Sequence, residues 1–361
     1  MIADTMKAAV IEGPGRLAIE TVPVPAAGRG EALVRVHCVG ICATDMEIYD
    51  GSMAYFRSGS ASYPVIPGHE WSGEVVAIGE GVMRLAVGDR VVGETTIPCR
   101  TCAMCKSGSY NLCPNRAETG ILGKAGAAAD YVSYPEQALH RFDGGVAYEE
   151  ACLIEPAAVA YRGALRAGIV PGDTVAVLGA GAIGLLTVQM ARALGAGRIV
   201  LFDYNERRLN IGRSLGADLA VNLTGRLHAA GAAETDAVEP ASSFGEFAKV
   251  IEASGSPQAA EFGVSLLRPG GGMTMLGLCG GKRASVDMDR IVVRDLELRG
   301  SLGSPGVWRE VIALLEARKI DLRPLITNRL TLAEYGRAIE LLQRRDPATI
   351  KVVINVRGDH G

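Results

Sequence analysis

Aromatic side chains are scarce in this chain of 361 residues: Trp, Tyr and Phe make up 5%, with only two Trp and six Phe. Charge of one sign is lacking too. The 37 basic and 40 acidic side chains leave a net charge of −3, which excludes the basic footprint expected of a nucleic-acid or anionic-membrane binder. The N-terminus, Met1 to Lys7, has no basic segment followed by an apolar run, so no secretion signal is read and a cytoplasmic protein is expected. Long apolar runs are missing but for one uncharged stretch, Thr174 to Ala191. It contains Gly179, Gly181, Gly184, Thr187 and Gln189, and reads as a buried strand, a turn and a helix rather than a membrane span. There is no internal repeat. With 48% hydrophobic residues, the chain is not dominated by disorder.

Glycine is abundant: 46 residues, in proportion nearly twice the average of ~7%. Glycine excess with few aromatics fits an α/β protein rich in tight turns better than an all-β sandwich. The length suggests about two domains at ~150 residues each. Residues 1–100 hold short β-branched runs, Lys7 to Ile11, Ala32 to Val39, Gly73 to Gly79 and Val87 to Val92, separated by Gly and Pro, as in a small barrel or sandwich. From about residue 157 the rhythm changes. Strands are expected at Thr174–Leu178, Arg198–Phe202, Lys249–Glu252, Gly272–Leu278 and Leu296–Gly300, with helices at Ala182–Leu194 and Glu206–Leu215. Such alternation indicates βαβ units and a parallel sheet. Two helical patterns, Trp308–Arg318 and Leu332–Arg345, precede a last strand at Thr349–Val356, and residues 223–245 are polar, Ala-rich and hard to place.

Three motifs carry chemistry. Gly179-Ala180-Gly181-Ala182-Ile183-Gly184 follows a strand and opens a helix, the setting a dinucleotide-binding turn requires. The first Gly permits the tight turn, the second lets backbone approach a pyrophosphate, and the third lets helix and strand pack closely. Phosphates would sit on the helix N-terminus. Asp203, near the expected ~20-residue spacing, is placed to accept from ribose hydroxyls and to repel a 2′-phosphate, which favours NAD over NADP; Arg207 and Arg208 soften that preference. Gly179, Gly181, Ile183, Gly184, Asp203 and Arg208 are the candidate cofactor contacts.

Of the eight cysteines, Cys99, Cys102, Cys105 and Cys113 share one short window. This spacing suits a closed tetrahedral Zn²⁺ site, which staples a loop and leaves no open position for substrate. A dispersed set, Cys42, His69, Glu70 and Glu155, is compatible with an open zinc site, although from spacing alone a lone Cys and a lone His are more often buried packing residues. His37, His140, Trp71, Cys152 and Cys279 read as structural, the last two as small buried hydrophobes.

These motifs, in this order from Lys7 to Val356, resemble the zinc-dependent medium-chain alcohol/polyol dehydrogenases. The resemblance implies an α/β protein with a GroES-like β-rich catalytic domain, residues 1–156 and 298–361, and a Rossmann doubly wound parallel-sheet domain, residues 157–297, with the active site in the cleft between them. It implies Cys42 and His69 as catalytic zinc ligands, the four clustered cysteines as ligands of a structural zinc, Thr44 as proton relay and Asp45 as the carboxylate that orients the histidine. In many alcohol dehydrogenases of the family a second Cys ligand stands where this chain reads Leu153-Ile154-Glu155-Pro156. Glu-Pro resembles the sorbitol and threonine dehydrogenase branch, in which Cys, His and either Glu70 or Glu155 hold the metal. Glu47 stands where many relatives pass the proton to solvent through a His, and either does that job or is a solvated carboxylate. The insert Ser52–Tyr63, with Tyr49, Tyr55, Phe56 and Arg57, either walls the substrate cleft or is a surface loop. The implied activity is hydride transfer between NAD(H) and a secondary alcohol of a small polar polyol, sugar-like or cyclitol substrate. A threonine-type amino-alcohol or aminocyclitol dehydrogenase is the alternative. A homodimer or homotetramer is implied as well.

Overall fold

In the computed structural model, which describes residues 2–225 and 241–358, the chain separates into two compact units. One comprises residues 1–155, 303–318 and 322–361; the other comprises 156–302 with 319–321. Most of the stretch 223–245, hard to place from sequence, lies outside the described residues.

The first unit is built around the strand Glu31–Gly40. On one side it pairs antiparallel with Glu70–Ile78, which in turn pairs with Arg90–Gly93 and so with Leu139–Arg141. On the other it pairs with Lys351–Asn355, the last strand, which runs parallel to Ile326–Thr331. Tyr131–Pro135 joins the first half of the same central strand. The first of the β-branched runs read from sequence, Lys7 to Ile11, lies in a separate hairpin of Thr5–Gly13 with Arg16–Pro23, while the other three share one sheet. Their inward side chains, Val34, Val36, Val39, Trp71, Val75 and Val91, make a core with Tyr134, Ile339 and Ile354. Trp71 packs edge-on against Tyr134 at 5.1 Å. Ser52–Tyr63 is an ordered segment: it holds the short helix Ala54–Arg57, Phe56 packs on Tyr63, and the Tyr63 hydroxyl donates to the Ile48 carbonyl at 2.6 Å.

The second unit is a six-stranded parallel sheet in the order Leu219–Asn222, Arg198–Asp203, Thr174–Leu178, Phe247–Glu252, Leu267–Met275 and Glu297–Gly300. The order reverses direction at Thr174–Leu178, which places a ligand crevice at that strand's C-terminal end. The uncharged stretch is the strand Thr174–Leu178 and the helix Ala182–Ala193, which buries Leu185, Leu186, Val188 and Met190. Among the described residues no helix is long and apolar enough to cross a membrane. One expectation is corrected: Cys152 is fully buried, but Cys279 is half-buried, because it falls in the loop beyond the end of Leu267–Met275 rather than on the strand.

Candidate active site and metal centres

The loop 99–113 gathers its four thiols by local structure alone. Arg100 turns the chain with a φ of 62°, a left-handed conformation uncommon outside glycine, and Cys102 begins the one-turn helix Ala103–Lys106. The sulfur–sulfur distances are 3.5 Å for Cys102–Cys105, 3.8 Å for Cys102–Cys113 and 3.9 Å for Cys99–Cys105. A tetrahedron of thiolates around zinc at ~2.3 Å has edges of about 3.8 Å, so the cage fits the ion. Hydrogen bonds from the Thr101 hydroxyl and from the Thr101 and Cys102 amides pull Cys99 down to about 5, while burial and the neighbouring thiols push Cys105 up to about 12. Arg116 ties this loop to its surroundings. It donates to the Cys113 carbonyl at 3.1 Å, to Glu118 at 2.6 Å and to the Tyr55 hydroxyl at 2.6 Å, so Tyr55 of the insert is held by the end of the cysteine loop.

The second cluster is assembled by sheet pairing. Gly40 lies opposite Glu70 in the antiparallel register, which sets the segment leaving one strand at Cys42 beside the segment entering the other at His69. Gly40 is obligatory there, since a Cβ would fall 2.4 Å from the Glu70 Oε2. Gly68 is equally constrained, with φ +94° and a hypothetical Cβ 3.0 Å from the Ala128 nitrogen. Cys42 caps the helix Ala43–Asp50 in extended conformation. Asp45, fully buried, accepts from the Cys42 amide at 2.8 Å and from the Gly68 amide at 3.2 Å, while its Oδ1 stands 4.0 Å from Nδ1 of His69. It therefore fixes the backbone of both donor-bearing segments and meets the ring only as a charge.

Donor atoms of Cys42, His69 and Glu70 lie within 4.8 Å of one another. Glu155, buried at the start of the helix Ile154–Ala167, accepts from the Thr95 hydroxyl at 2.8 Å. Burial alone would pull His69 down, but the Cys42 thiol and then the Asp45 and Glu155 charges raise it to about 10. Burial also raises Glu155, whose charge His69 and Lys351 help to hold. Nδ1 of His69 is buried without a hydrogen-bond partner. One thiol, one imidazole and the Glu70 carboxylate form a buried donor set suited to Zn²⁺ with an open position, and the Glu155 carboxylate is near enough for its charge to act on His69. Thr44 Oγ1 lies 3.9 Å from the Cys42 sulfur, and Glu47, half-buried with its carboxyl raised by burial and then by Asp50, follows one turn later on the same helix, outside the donor cluster.

Two participants were not singled out from the sequence. Lys351 places Nζ against both oxygens of Glu70 and donates to the Ile41 carbonyl at 3.1 Å. A single Lys in the apolar strand Lys351–Asn355 is the available signal, because a buried Lys needs a partner. Thr95 carries no signal at all. Of the histidines read as structural, His140 has Nε2 2.8 Å from the Glu94 carboxylate and stacks on Trp308, while His37 stacks on Tyr148 at 3.8 Å.

In the second unit, Gly179 has φ +100°, and a Cβ on Gly184 would stand 1.7 Å from the Gly179 carbonyl oxygen. A Cβ on Gly181 meets nothing within 4 Å, so that face of the turn is open to a ligand. Ile183, half-buried in the first helical turn, receives the Thr187 hydroxyl on its carbonyl at 2.8 Å. Asp203 closes the turn with Oδ2 accepting from the Ala180 amide at 2.6 Å and Oδ1 from the Asn205 amide at 2.7 Å. The Asn205 side chain caps the next helix at the Arg208 amide; Arg208 is half-buried and Arg207 exposed. This cradle fits a dinucleotide pyrophosphate and ribose.

Residues 28–144 match the alcohol dehydrogenase GroES-like domain and residues 182–317 the zinc-binding dehydrogenase family. The chain is 30% identical to a sorbitol dehydrogenase of Bacillus subtilis, covering 98% of both chains. It is 35% identical to an L-threonine 3-dehydrogenase of Symbiobacterium thermophilum, covering 99% of this chain and 100% of the other. Among solved structures, the alcohol dehydrogenase rspB of E. coli CFT073 in complex with NADH superimposes with a TM-score of 0.88 at 27% identity, covering 98% of this chain and 100% of that one. Cysteine cage, buried donor set and nucleotide cradle are thus the parts of an oxidoreductase that uses zinc and a nicotinamide dinucleotide. The chain belongs to the zinc-dependent medium-chain alcohol/polyol dehydrogenases.

Proposed function

We propose that this dehydrogenase interconverts a secondary alcohol and a ketone on a small polar polyol, sugar-like or cyclitol substrate, with NAD(H) as hydride carrier. The observation that carries the reading is the donor set: a single thiol, Cys42, clustered with His69 and Glu70, and a second buried carboxylate, Glu155, whose charge acts on His69, in place of a second thiol. Carboxylates make the site hydrophilic, which suits a substrate with several hydroxyls. Cys42 and His69 hold the catalytic zinc with Glu155 or Glu70; the engagement of Glu70 with Lys351 favours Glu155. Cys99, Cys102, Cys105 and Cys113 hold the structural zinc. The unit of residues 1–155, 303–318 and 322–361 serves as the catalytic domain and the unit of 156–302 with 319–321 as the nucleotide-binding domain, a boundary a few residues past the expected 297/298 because the strand Glu297–Gly300 belongs to the parallel sheet.

Bound zinc supplies Lewis-acid polarisation of the substrate hydroxyl, and bound NAD supplies the hydride acceptor. The chain's own groups then do the rest. Asp45 holds the two ligand-bearing segments in register. The Thr44 hydroxyl takes the substrate proton at Oγ1, and Glu47, one turn further on, leads it to solvent. Gly179, Gly181, Ile183 and Gly184 seat the pyrophosphate, Asp203 accepts from the ribose hydroxyls, and Arg208 flanks them. Asp203 favours NAD over NADP by repelling a 2′-phosphate.

A homodimer or homotetramer is supported by the edge strand Glu297–Gly300, exposed along its length, and by exposed Leu278, Val292 and Val293 in the same unit. A cytoplasmic location accords with the reduced thiols a zinc cage needs.

The test is NADH formation with zinc-loaded protein and a panel of polyols, cyclitols and amino alcohols. Turnover of polyols or cyclitols is expected. Turnover confined to 3-hydroxy amino acids gives the threonine-type alternative, for which the 35% identical threonine dehydrogenase is the argument; no turnover with any of them overturns the proposal.

A further inference from the structure

We propose that the first unit carries a separate anion site, formed by Arg90, Arg357, His37, Tyr148 and Asn355, which binds the phosphate group of a small molecule. These residues line a cavity of about 600 Å³ that shares none of the zinc donors or their partners Thr95 and Lys351.

The cavity is positively charged and its charges lack counter-ions. Neither Arg90 nor Arg357 forms an ion pair with a carboxylate among the described residues. Arg90 lies over the rings of Tyr148 at 4.1 Å and Phe142 at 4.7 Å, and donates only to the Asp143 carbonyl at 3.4 Å. The Tyr148 ring also stacks on His37 at 3.8 Å and meets Phe142 edge-on at 5.8 Å. The stack presets the Arg90 guanidinium, whose planar fork matches phosphate oxygens. The one acid in the lining, Glu149, is held by both arms of Arg329 at 2.7 and 2.8 Å, so its charge is already met.

Nε2 of His37, a residue of the lining, and Nε of Arg35, two positions earlier on the same strand, are buried without a hydrogen-bond partner. Buried polar groups left without partners are costly, and each one calls for an explanation. His37 also reports the local field. Burial first, then the charges of Arg357, Arg35 and Arg90, hold it down at about 4. A bound phosphate would meet the Arg90 and Arg357 guanidiniums and lift that repression.

The probes are inorganic phosphate and glycerol 3-phosphate, titrated by calorimetry into zinc-loaded protein with NADH saturating, so that the nucleotide cradle is filled. Ionic strength is held constant with sodium chloride. One saturable site per chain is expected, with Arg357→Gln weakening it at least tenfold while dehydrogenase turnover in phosphate-free buffer is unchanged. Preference for glycerol 3-phosphate marks a phosphorylated metabolite as the occupant; equal binding marks free phosphate. In a parallel proton NMR titration, phosphate should raise the His37 midpoint in wild type and leave it unmoved in Arg357→Gln. Non-saturating heats, or the same affinity in wild type and Arg357→Gln, overturn the proposal.

Discussion

Lys351 and Glu70, 281 positions apart, meet inside the first unit as a buried ion pair, with Nζ set against both carboxylate oxygens. The pair forms because the last strand, Lys351–Asn355, returns to lie against Glu31–Gly40, whose other neighbour begins at Glu70. Breaking a buried pair from one side strands the other charge. Lys351→Met should therefore cost about 3–5 kcal/mol, read by urea unfolding of the zinc-loaded protein. The double variant Lys351→Met with Glu70→Gln should recover much of that loss. Additive losses would show that the two side chains do not act as a pair.

Loss of the cysteine cage is a folding defect and loss of Cys42 a chemical one. Cys99→Ser should lower the unfolding temperature and remove one zinc per chain, because structural metal binding contributes to folding free energy. Cys42→Ser should abolish turnover and leave the melting profile close to wild type. Metal analysis alongside thermal unfolding separates them, and a Cys99→Ser protein with full zinc content would speak against the cage.

Coenzyme choice should rest on Asp203. Replacement by Ser removes the charge that repels a 2′-phosphate, so the ratio of kcat/KM for NAD over NADP should fall tenfold or more. Asp203 also accepts from the amides of Ala180 and Asn205, so the variant should melt lower. A wild type that prefers NADP would assign the choice to Arg207 or Arg208 instead.

The proton route should pass through Thr44. Thr44→Val, nearly isosteric, should reduce kcat by roughly 10²-fold, within the usual range for a positioned proton-transfer group. NADH binding, followed by fluorescence, should change little, and Thr44→Ser should retain most of the rate. A Val variant that turns over at the wild-type rate would move the relay to Glu47 or Glu155.

Acid stability should depend on His37. Its ordinary value near 6.5 is pulled down to about 4 in the folded chain, by burial and then by Arg357, Arg35 and Arg90. Above 6.5 neither state is protonated and nothing is lost. As pH falls from 6.5 towards 4 only the unfolded chain takes the proton, so stability declines across that window and levels below it. His37→Phe, which keeps the stack on Tyr148 but cannot titrate, should show a smaller fall in unfolding temperature between pH 7 and pH 4.5. An unchanged fall would place the acid sensitivity elsewhere.

Local patterns in the sequence determined the parts of this protein whose cause is local. The cysteine cage closes within one loop, so spacing alone predicted it, and the distances among Cys102, Cys105 and Cys113 fit a tetrahedron. The glycine turn is likewise a strand, a tight bend and a helix start in succession, so the tight turn at Gly179 and the close packing at Gly184 were legible from their spacing. The strands of the second unit and its helices Ala182–Ala193 and Glu206–Ser214 followed from apolar runs and periodicity, while the helices Pro257–Leu266 and Met288–Val293 did not.

Tertiary structure decided what depends on partners far apart in the chain. The pairing of Gly40 with Glu70 is what sets Cys42 beside His69, and no spacing encodes a sheet register. Asp45 sets its carboxylate 4.0 Å from the His69 ring and takes the amides of Cys42 and Gly68, backbone contacts that no spacing encodes. Glu70 was read as a plain ligand candidate, yet a lysine from the final strand engages it. Thr95, which steadies Glu155, was invisible because a hydroxyl residue in a loop has no distinguishing pattern. A buried charge must find its partner, but which partner it finds is set by the fold that brings the two together.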